Sequence, residues 1–111
     1  MRYLLLICFD QSVATNPPPG LTAESRSWVE QLRVRGVHKL GGPLQPVSAA
    51  TTVRSREDRV LLGGAAFAQT TEQIAGFDVI ECVDLDEAVA IASLHPVAKV
   101  GTIEVRPIQL E

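Results

Sequence analysis

The chain opens with a run of apolar residues that shows no alternation with polar ones. All four residues from Leu4 to Ile7 are apolar. Successive side chains of a strand point to opposite faces, so this pattern predicts a strand over Arg2–Phe9 that is buried on both faces. A small domain has too few helices to cover both sides of its sheet. We therefore expect a second copy of the chain to cover one face.

Helical periodicity begins after the proline-rich segment 10–20, which predicts a loop. Thr22 is a suitable N-cap, and Trp28, Val29 and Leu32 form one apolar stripe. Gly36 stands where a helix commonly ends in the left-handed conformation. The pattern predicts a first helix between these limits.

A second helix is predicted after Asp84, whose side chain can cap the N–H group of Glu87. The apolar residues that follow extend to Leu94. The helix should stop at His95-Pro96, because a residue before proline disfavours the helical conformation.

The remaining segments predict strands and one helical turn. A strand from Val37 is interrupted at Gly41-Gly42-Pro43. The other predicted elements are a hairpin of Ala50–Arg54 and Val60–Leu62 around a charged turn at 55–59, one turn of helix within Thr70–Gly76, and strands over Phe77–Val83 and Thr102–Leu110. This order predicts a single α+β domain over residues 1–111, with a ferredoxin-like βαββ(β)αβ sandwich whose helices lie on one face of the sheet.

Composition narrows the function classes. Hydrophobic residues make up 46% and aromatic residues 5%, so the core rests on aliphatic side chains. The net charge of −3 gives no basic face for nucleic acid. No apolar run reaches the length of a membrane span, and the run at Leu4–Phe9 is too short for a signal peptide. We expect a cytoplasmic protein without a membrane or nucleic-acid partner.

The two cysteines, Cys8 and Cys82, lie within apolar runs and are expected to be buried free thiols. Two cysteines and two histidines at unrelated spacings do not form a zinc motif, and neither glycine pair has the context of a phosphate loop. We expect neither a metal nor a cofactor.

A series of segments in the right order along the chain resembles the YCII-related (DGPF-type) proteins. The segments are Met1–Ile7, Gly41–Pro46, Ala50–Arg54, Phe67–Phe77, Asp84–Ala88, His95-Pro96 and Glu104–Pro107. The resemblance implies a dimeric α+β barrel. Most of that family has no assigned activity. Some relatives look like small-molecule lyases or dehalogenases that use a histidine and an acid, and others are encoded beside sigma factors.

One departure separates the chain from the family pattern. The Asp-Gly-Pro-Phe signature falls on Gly64-Ala65-Ala66-Phe67, so its acidic residue and its proline are replaced. Any role that the aspartate carries in relatives is lost here.

His95 is the leading candidate for chemistry, because histidine exchanges a proton near neutrality. At a helix C-terminus the dipole favours its charged form. The alternative is a residue that only ends the helix. Glu72 and Asp78 are candidate acid partners for His95, whereas His38 shows no partner and is interpreted as structural.

Glu104 and Arg106 share one face of the last strand, and Arg54 could join them. Such a group could bind an anionic ligand in a cavity of the dimer. A structural ion pair that sets the strand register is the alternative that we favour.

Two functions remain open. The first is a domain that binds a small organic acid in a regulatory or sensing role, which the lost signature aspartate favours. The alternative is an enzyme of the lyase or dehalogenase type that uses His95 and a nearby acid for proton transfer. A cavity that holds a histidine beside an acid would distinguish the enzyme.

Overall fold

The structure is a computed structural model that describes residues 1–64 and 71–109. The strands are β1 (Arg2–Phe9), β2 (His38–Pro43), β3 (Thr52–Arg56), β4 (Arg59–Gly63), β5 (Gln73–Glu81) and β6 (Thr102–Pro107), and the helices are α1 (Gln11–Thr15), α2 (Leu21–Val34) and α3 (Leu85–Ser93). Single 3-10 turns span Val47–Ala49 and Pro96–Lys99.

Four strands form one antiparallel sheet in the order β2-β5-β1-β6. β1 and β2 are therefore parallel, with β5 between them, which is the split βαβ arrangement of a ferredoxin-like fold. The predicted α+β class is confirmed. β3 and β4 pair only with each other, as a hairpin between the second and third strands of the main sheet.

One face of the sheet is the core. Tyr3, Leu5 and Ile7 of β1 are buried on it, together with Ile80 and the apolar side of the helices. The intervening residues of β1 are half-buried on the opposite face. The predicted strand is present. Its second face is only half-buried in the single chain, because the described helices cover only one side, and its burial by a second copy stays a prediction.

The ends of both long helices follow local rules. Gly36, whose φ is 74°, terminates α2 just beyond its last turn, and the N–H of Val37 donates to the carbonyl of Leu32 at 2.9 Å. Asp84 caps α3 as predicted, with Oδ1 2.9 Å from the N of Glu87. The N-cap assigned to Thr22 is wrong: α2 begins at Leu21, and Gly20 is its cap.

Several predicted boundaries are also wrong, because strand pairing and local caps override single glycines and prolines. The predicted loop contains α1, which Asp10 caps by accepting the N–H of Val13 at 3.1 Å. β2 continues through Gly41-Gly42-Pro43 since these residues pair with β5. β5 starts at Gln73, where a helical turn was predicted, and β6 ends at Pro107.

The β3–β4 hairpin exists as predicted but has a tighter turn. Glu57 and Asp58 are its two central residues and both have positive φ, of 50° and 62°. Positive φ at both positions matches the twist of the flanking strands.

Cys82 is buried and Cys8 is half-buried, and both are free thiols. Burial raises the pKa of each. Within 1–64 and 71–109, no helix is both long and apolar enough to cross a membrane. Three residues of the altered family signature, 65–67, lie outside the described residues.

Candidate functional site

A cavity of about 1000 Å³ opens between α2, the segment carrying α1, and the β2 side of the sheet. Its apolar walls include Ile7, Phe9, Val29 and Val97. Cavities of this size and mixed character are typical of small-molecule sites.

His38 and Asp78 form the polar centre of this cavity. His38 begins β2, Asp78 lies in neighbouring β5, and Nε2 of His38 is 2.7 Å from Oδ1 of Asp78. Their side chains are only 7% and 6% exposed, although both line the cavity. Along β5, Asp78 points to the same face as the core residue Ile80. The His38–Asp78 pair therefore lies on the helix-covered face of the sheet.

Gly41 makes room for this pair. It stands opposite Asp78 in the β2–β5 register, with a φ of 144°. A Cβ on Gly41 would lie 2.3 Å from the carbonyl oxygen of Phe77 and 2.8 Å from Oδ1 of Asp78. Only glycine fits, both in conformation and in space.

The electrostatics of the pair follow from its burial. Burial raises the pKa of Asp78, and the hydrogen bond and charge of His38 partly offset that rise. Nδ1 of His38 has no hydrogen-bond partner among the described residues. Because no polar side-chain atom of these residues is both unpaired and sealed from solvent, Nδ1 is accessible to solvent. An ionised Asp78 accepts a hydrogen bond from the Nε2–H group, so Nδ1 keeps a free lone pair and can act as a base on the side chain that lines the cavity.

His95 also lines the cavity, but its environment is different. Its Nδ1 accepts the N–H of Val97 at 3.0 Å, and its ring packs edge-on against Trp28 with 4.7 Å between centroids. Burial lowers the pKa of His95 to about 4. The expectation that a helix dipole favours its charged form is therefore wrong, because desolvation dominates.

The acid partners proposed for His95 lie elsewhere. Asp78 pairs with His38, and Glu72 accepts the hydroxyl of Thr102 at 2.6 Å. Within the described residues, His95 has no carboxylate partner.

The anion cluster is predicted to line a cavity of the dimer and stays a prediction. In the single chain, Glu104 and Arg106 lie opposite Leu6 and Leu4 of β1, on the open face of the sheet. Glu104 and Arg106 form an ion pair of 3.8 Å on β6, both exposed, and Arg54 lies on the separate hairpin sheet. None of the three is among the described residues that line the cavity. Glu104 and Arg106 belong to the same strand, so their ion pair is not the cross-strand pair that would set the register.

The described residues contain no group of three or more histidine, cysteine, aspartate or glutamate side chains that could hold a metal ion. The side chains at the cavity can supply proton transfer at His38, orientation of its ring by Asp78, and binding of polar groups by the cations at the edge.

The sequence interpretation missed His38 because its partner is 40 residues away. One signal could have found it. In a ferredoxin-like sheet the second and third strands are neighbours, so a histidine on one and an aspartate inside the other are candidates for a pair.

Comparison with known proteins gives a match in sequence and a match in fold. A protein of Rhizobium meliloti (strain 1021), described only as uncharacterized, is 35% identical over 94 residues, which cover 81% of this chain and 71% of the relative. A similar fold is seen in 5-chloro-2-hydroxyhydroquinone dehydrochlorinase from Burkholderia phenoliruptrix AC1100, solved in complex with 2,5-dihydroxybenzoquinone. The TM-score is 0.59 at 15% identity, over 98% of this chain and 94% of that one.

The model of the YCII-related domain matches residues 1–110, which is nearly the whole chain. The ferredoxin-like topology agrees with the fold that the resemblance implied. This chain belongs to the YCII-related domain family.

Proposed function

We propose that this protein is an enzyme that catalyses proton transfer on a small organic molecule, with His38 as the catalytic base and Asp78 as its orienting partner. The observation that carries the proposal is the buried hydrogen bond of 2.7 Å between these side chains, inside a cavity large enough for a substrate. Titratable pairs in clefts are common at active sites.

The chemistry follows from the geometry of the pair. Nδ1 of His38 removes a proton from a C–H or O–H group of the substrate, and the electron pair of the broken bond stays on the substrate as an enolate or phenolate. Asp78 stabilises the imidazolium that forms. The proton then returns to another atom, or the anion expels a leaving group, so isomerisation and elimination use the same first step.

The dehydrochlorinase of similar fold supports elimination as one outcome. That enzyme is named for its action on a chlorinated hydroquinone, and its solved structure contains a bound benzoquinone. Its identity of 15% carries the fold and not the substrate, so for this chain we propose only the class of small cyclic or carbonyl compounds.

A binding or sensing domain is the second candidate. The replacement of the family's signature aspartate by Gly64 favours it, because that residue is then unavailable for chemistry. The His38–Asp78 pair favours the enzyme more strongly, since a binding site has no need of a buried base beside an acid.

We also propose that the protein is a cytoplasmic homodimer joined through the open face of its sheet. Leu4, Leu6, Phe77 and Val79 are half-buried on this face and Leu40 is 54% exposed. An apolar surface of this kind on one sheet face is typical of an interface between copies. Light scattering over a dilution series should show Leu6→Arg as a monomer, while Val34→Arg, at a side chain 79% exposed on α2, stays dimeric. A wild-type chain with the mass of a single copy at every concentration would overturn this part.

The enzymatic part is tested by exchange in D₂O. Wild-type protein is incubated with a set of small carbon acids, such as 2-oxo acids, lactones and hydroxylated aromatic compounds, and loss of the C–H signal is followed by NMR. We expect exchange of at least one compound, slowed by roughly 100-fold or more in His38→Gln and in Asp78→Asn.

His95→Asn is the matched control, because asparagine can still accept the N–H of Val97. It should keep exchange within about threefold of wild type, since its ring lacks an acid partner. Unchanged exchange in His38→Gln would overturn the role of His38. Saturable binding of these compounds without exchange would favour the sensing domain.

A further inference from the structure

The charges around the cavity are opposite in sign to those of the whole chain. The protein has a net charge of −3. Arg26, Arg33 and Lys39 line the cavity, and the carboxylates that line it are Glu30 and Asp78. When histidines are counted as neutral, the described lining carries three cations and two carboxylates, an excess of one positive charge.

The three cations differ in how their charge is used. Arg33 is paired with Glu30, one turn back on α2, and Nζ of Lys39 lies 3.6 Å from Glu81. Arg26 has neither an ion pair nor a hydrogen bond with any described residue. Among the described cations that line this cavity, Arg26 is the one whose charge remains available.

The position of Arg26 follows from the periodicity of α2. Thr22, Arg26, Val29 and Arg33 are spaced by four, three and four residues, so they form one stripe of the helix, and all four line the cavity. Trp28 is buried in the core instead. The cavity-facing stripe therefore presents a guanidinium beside the apolar surface of Val29.

We infer that Arg26 binds the anionic group of the ligand and that the cavity selects small apolar or aromatic acids with a single negative charge. A guanidinium fork binds a carboxylate through two parallel hydrogen bonds. Ile7, Phe9 and Val29 supply the apolar surface for the rest of the molecule. This inference rests on the proposed function and adds its substrate class and a specificity residue.

Benzoate and benzamide test the inference because they share one ring and differ in charge. Their dissociation constants are measured by ¹H–¹⁵N NMR titration of the full chain near pH 7. We expect benzoate to bind about tenfold more tightly than benzamide, as for one charged hydrogen-bonded contact that is partly exposed. Arg26→Gln should remove this preference and leave the affinity for benzamide unchanged.

Arg35→Gln is the matched control. Arg35 also belongs to the end of α2 and is exposed, but it lines a different, smaller cavity beside Trp28. The variant carries the same charge change and should keep the tenfold preference. Equal affinities of benzoate and benzamide in wild type, or no binding of benzoate, would overturn the inference, and so would an equal loss of preference in both arginine variants.

His38→Gln separates this inference from the proposed enzyme. If Arg26 holds the anion, the benzoate preference persists in His38→Gln even though proton exchange is lost. Loss of the preference in His38→Gln alone would assign the anion to His38 and overturn the role of Arg26. Absence of exchange together with an Arg26-dependent preference would overturn the enzyme and leave the ligand class in place.

Discussion

The two histidine regions of the cavity contrast in what each ring contacts. His38 hydrogen-bonds to the carboxylate of Asp78 and leaves its other nitrogen open to the cavity. His95 accepts a backbone N–H from Val97 and packs against Trp28. Both are buried, so burial alone does not distinguish them. The partner does: an acid allows a histidine to hold a proton and release it, whereas a backbone donor fixes a neutral ring.

The largest loss of stability is expected from a substitution at Gly41. Such a substitution should distort the His38 region and leave the His95 region unchanged. Gly41→Ala should lower the free energy of unfolding by at least about 3 kcal/mol, because the new Cβ collides with the Phe77 carbonyl and requires a positive φ. Gly42→Ala, with no atom within 4 Å of its Cβ, should lose about 1 kcal/mol or less. Urea unfolding measures both, and equal losses would remove the proposed role of Gly41.

The stability that the His95 region contributes should depend on pH. The pKa of His95 is about 4 in the folded chain and ordinary when unfolded. The unfolded state therefore binds the proton more readily, so stability is full above the ordinary histidine range and falls as pH drops towards 4. The loss from this group approaches about 3 kcal/mol.

His95→Asn is the appropriate comparison because it keeps an acceptor for the N–H of Val97. Its free energy of unfolding should change less than that of wild type between pH 6.5 and 4, as measured by urea titrations at each pH. Parallel pH profiles in the two proteins would show that His95 titrates as an exposed residue does.

Removal of the histidine from the His38–Asp78 pair should destabilise the protein. His38→Leu leaves the buried carboxylate of Asp78 without its donor, so stability at neutral pH should fall by about 2 kcal/mol. The pKa of Asp78, already raised by burial, should rise further because His38 lowers it, and ¹³C NMR of the carboxyl group would record this.

The sign of its pH dependence is opposite to that of His95. A raised carboxyl pKa means that the folded state takes up the proton first, so the penalty in His38→Leu should shrink as pH falls through the folded pKa of Asp78. His38→Leu/Asp78→Leu, which removes both members, should recover part of the loss at neutral pH. Strictly additive losses would show that the two side chains are not coupled.

The smallest effect is expected at Trp28, which supports the His95 region. Trp28→Phe keeps an aromatic ring against His95 but loses the indole N–H that donates to the carbonyl of Ile91 at 3.0 Å. The cost should be about 1 kcal/mol, followed by circular dichroism. Proton exchange at the His38 site should be unchanged, and a large loss there would join the two regions into one site.

Much of the fold could be predicted because its signals are local. Gly36 and Asp84 mark helix ends through their own backbone and side-chain chemistry. The continuous apolar run of β1 indicates a central strand with two apolar faces, and the structure confirms it. Predictions failed where pairing with a neighbouring strand determines the local structure. Residues 41–43 continue β2 because β5 supplies hydrogen-bond partners for their backbone groups.

The candidate site was less predictable, and the particular residues show why. The sequence predicts a role for His95 from a local feature, its position before Pro96 at the end of a helix. The sequence predicts Asp78 as an acid partner of His95, whereas its partner in the structure is His38. The choice depended on which strand lies beside β5, and that is a property of the sheet order.

By itself, the sequence determined the class of fold, the end of α2 at Gly36, the start of α3 after Asp84, the apolar faces of β1 and the resemblance to the YCII-related family. These depend on residue type, spacing and contacts between near neighbours. Only the tertiary structure decided that His38 meets Asp78, that Gly41 must stay small, and that Arg26 lines the same cavity. Such pairings join residues far apart in the chain, and their energies exist only once the sheet order has brought the strands together.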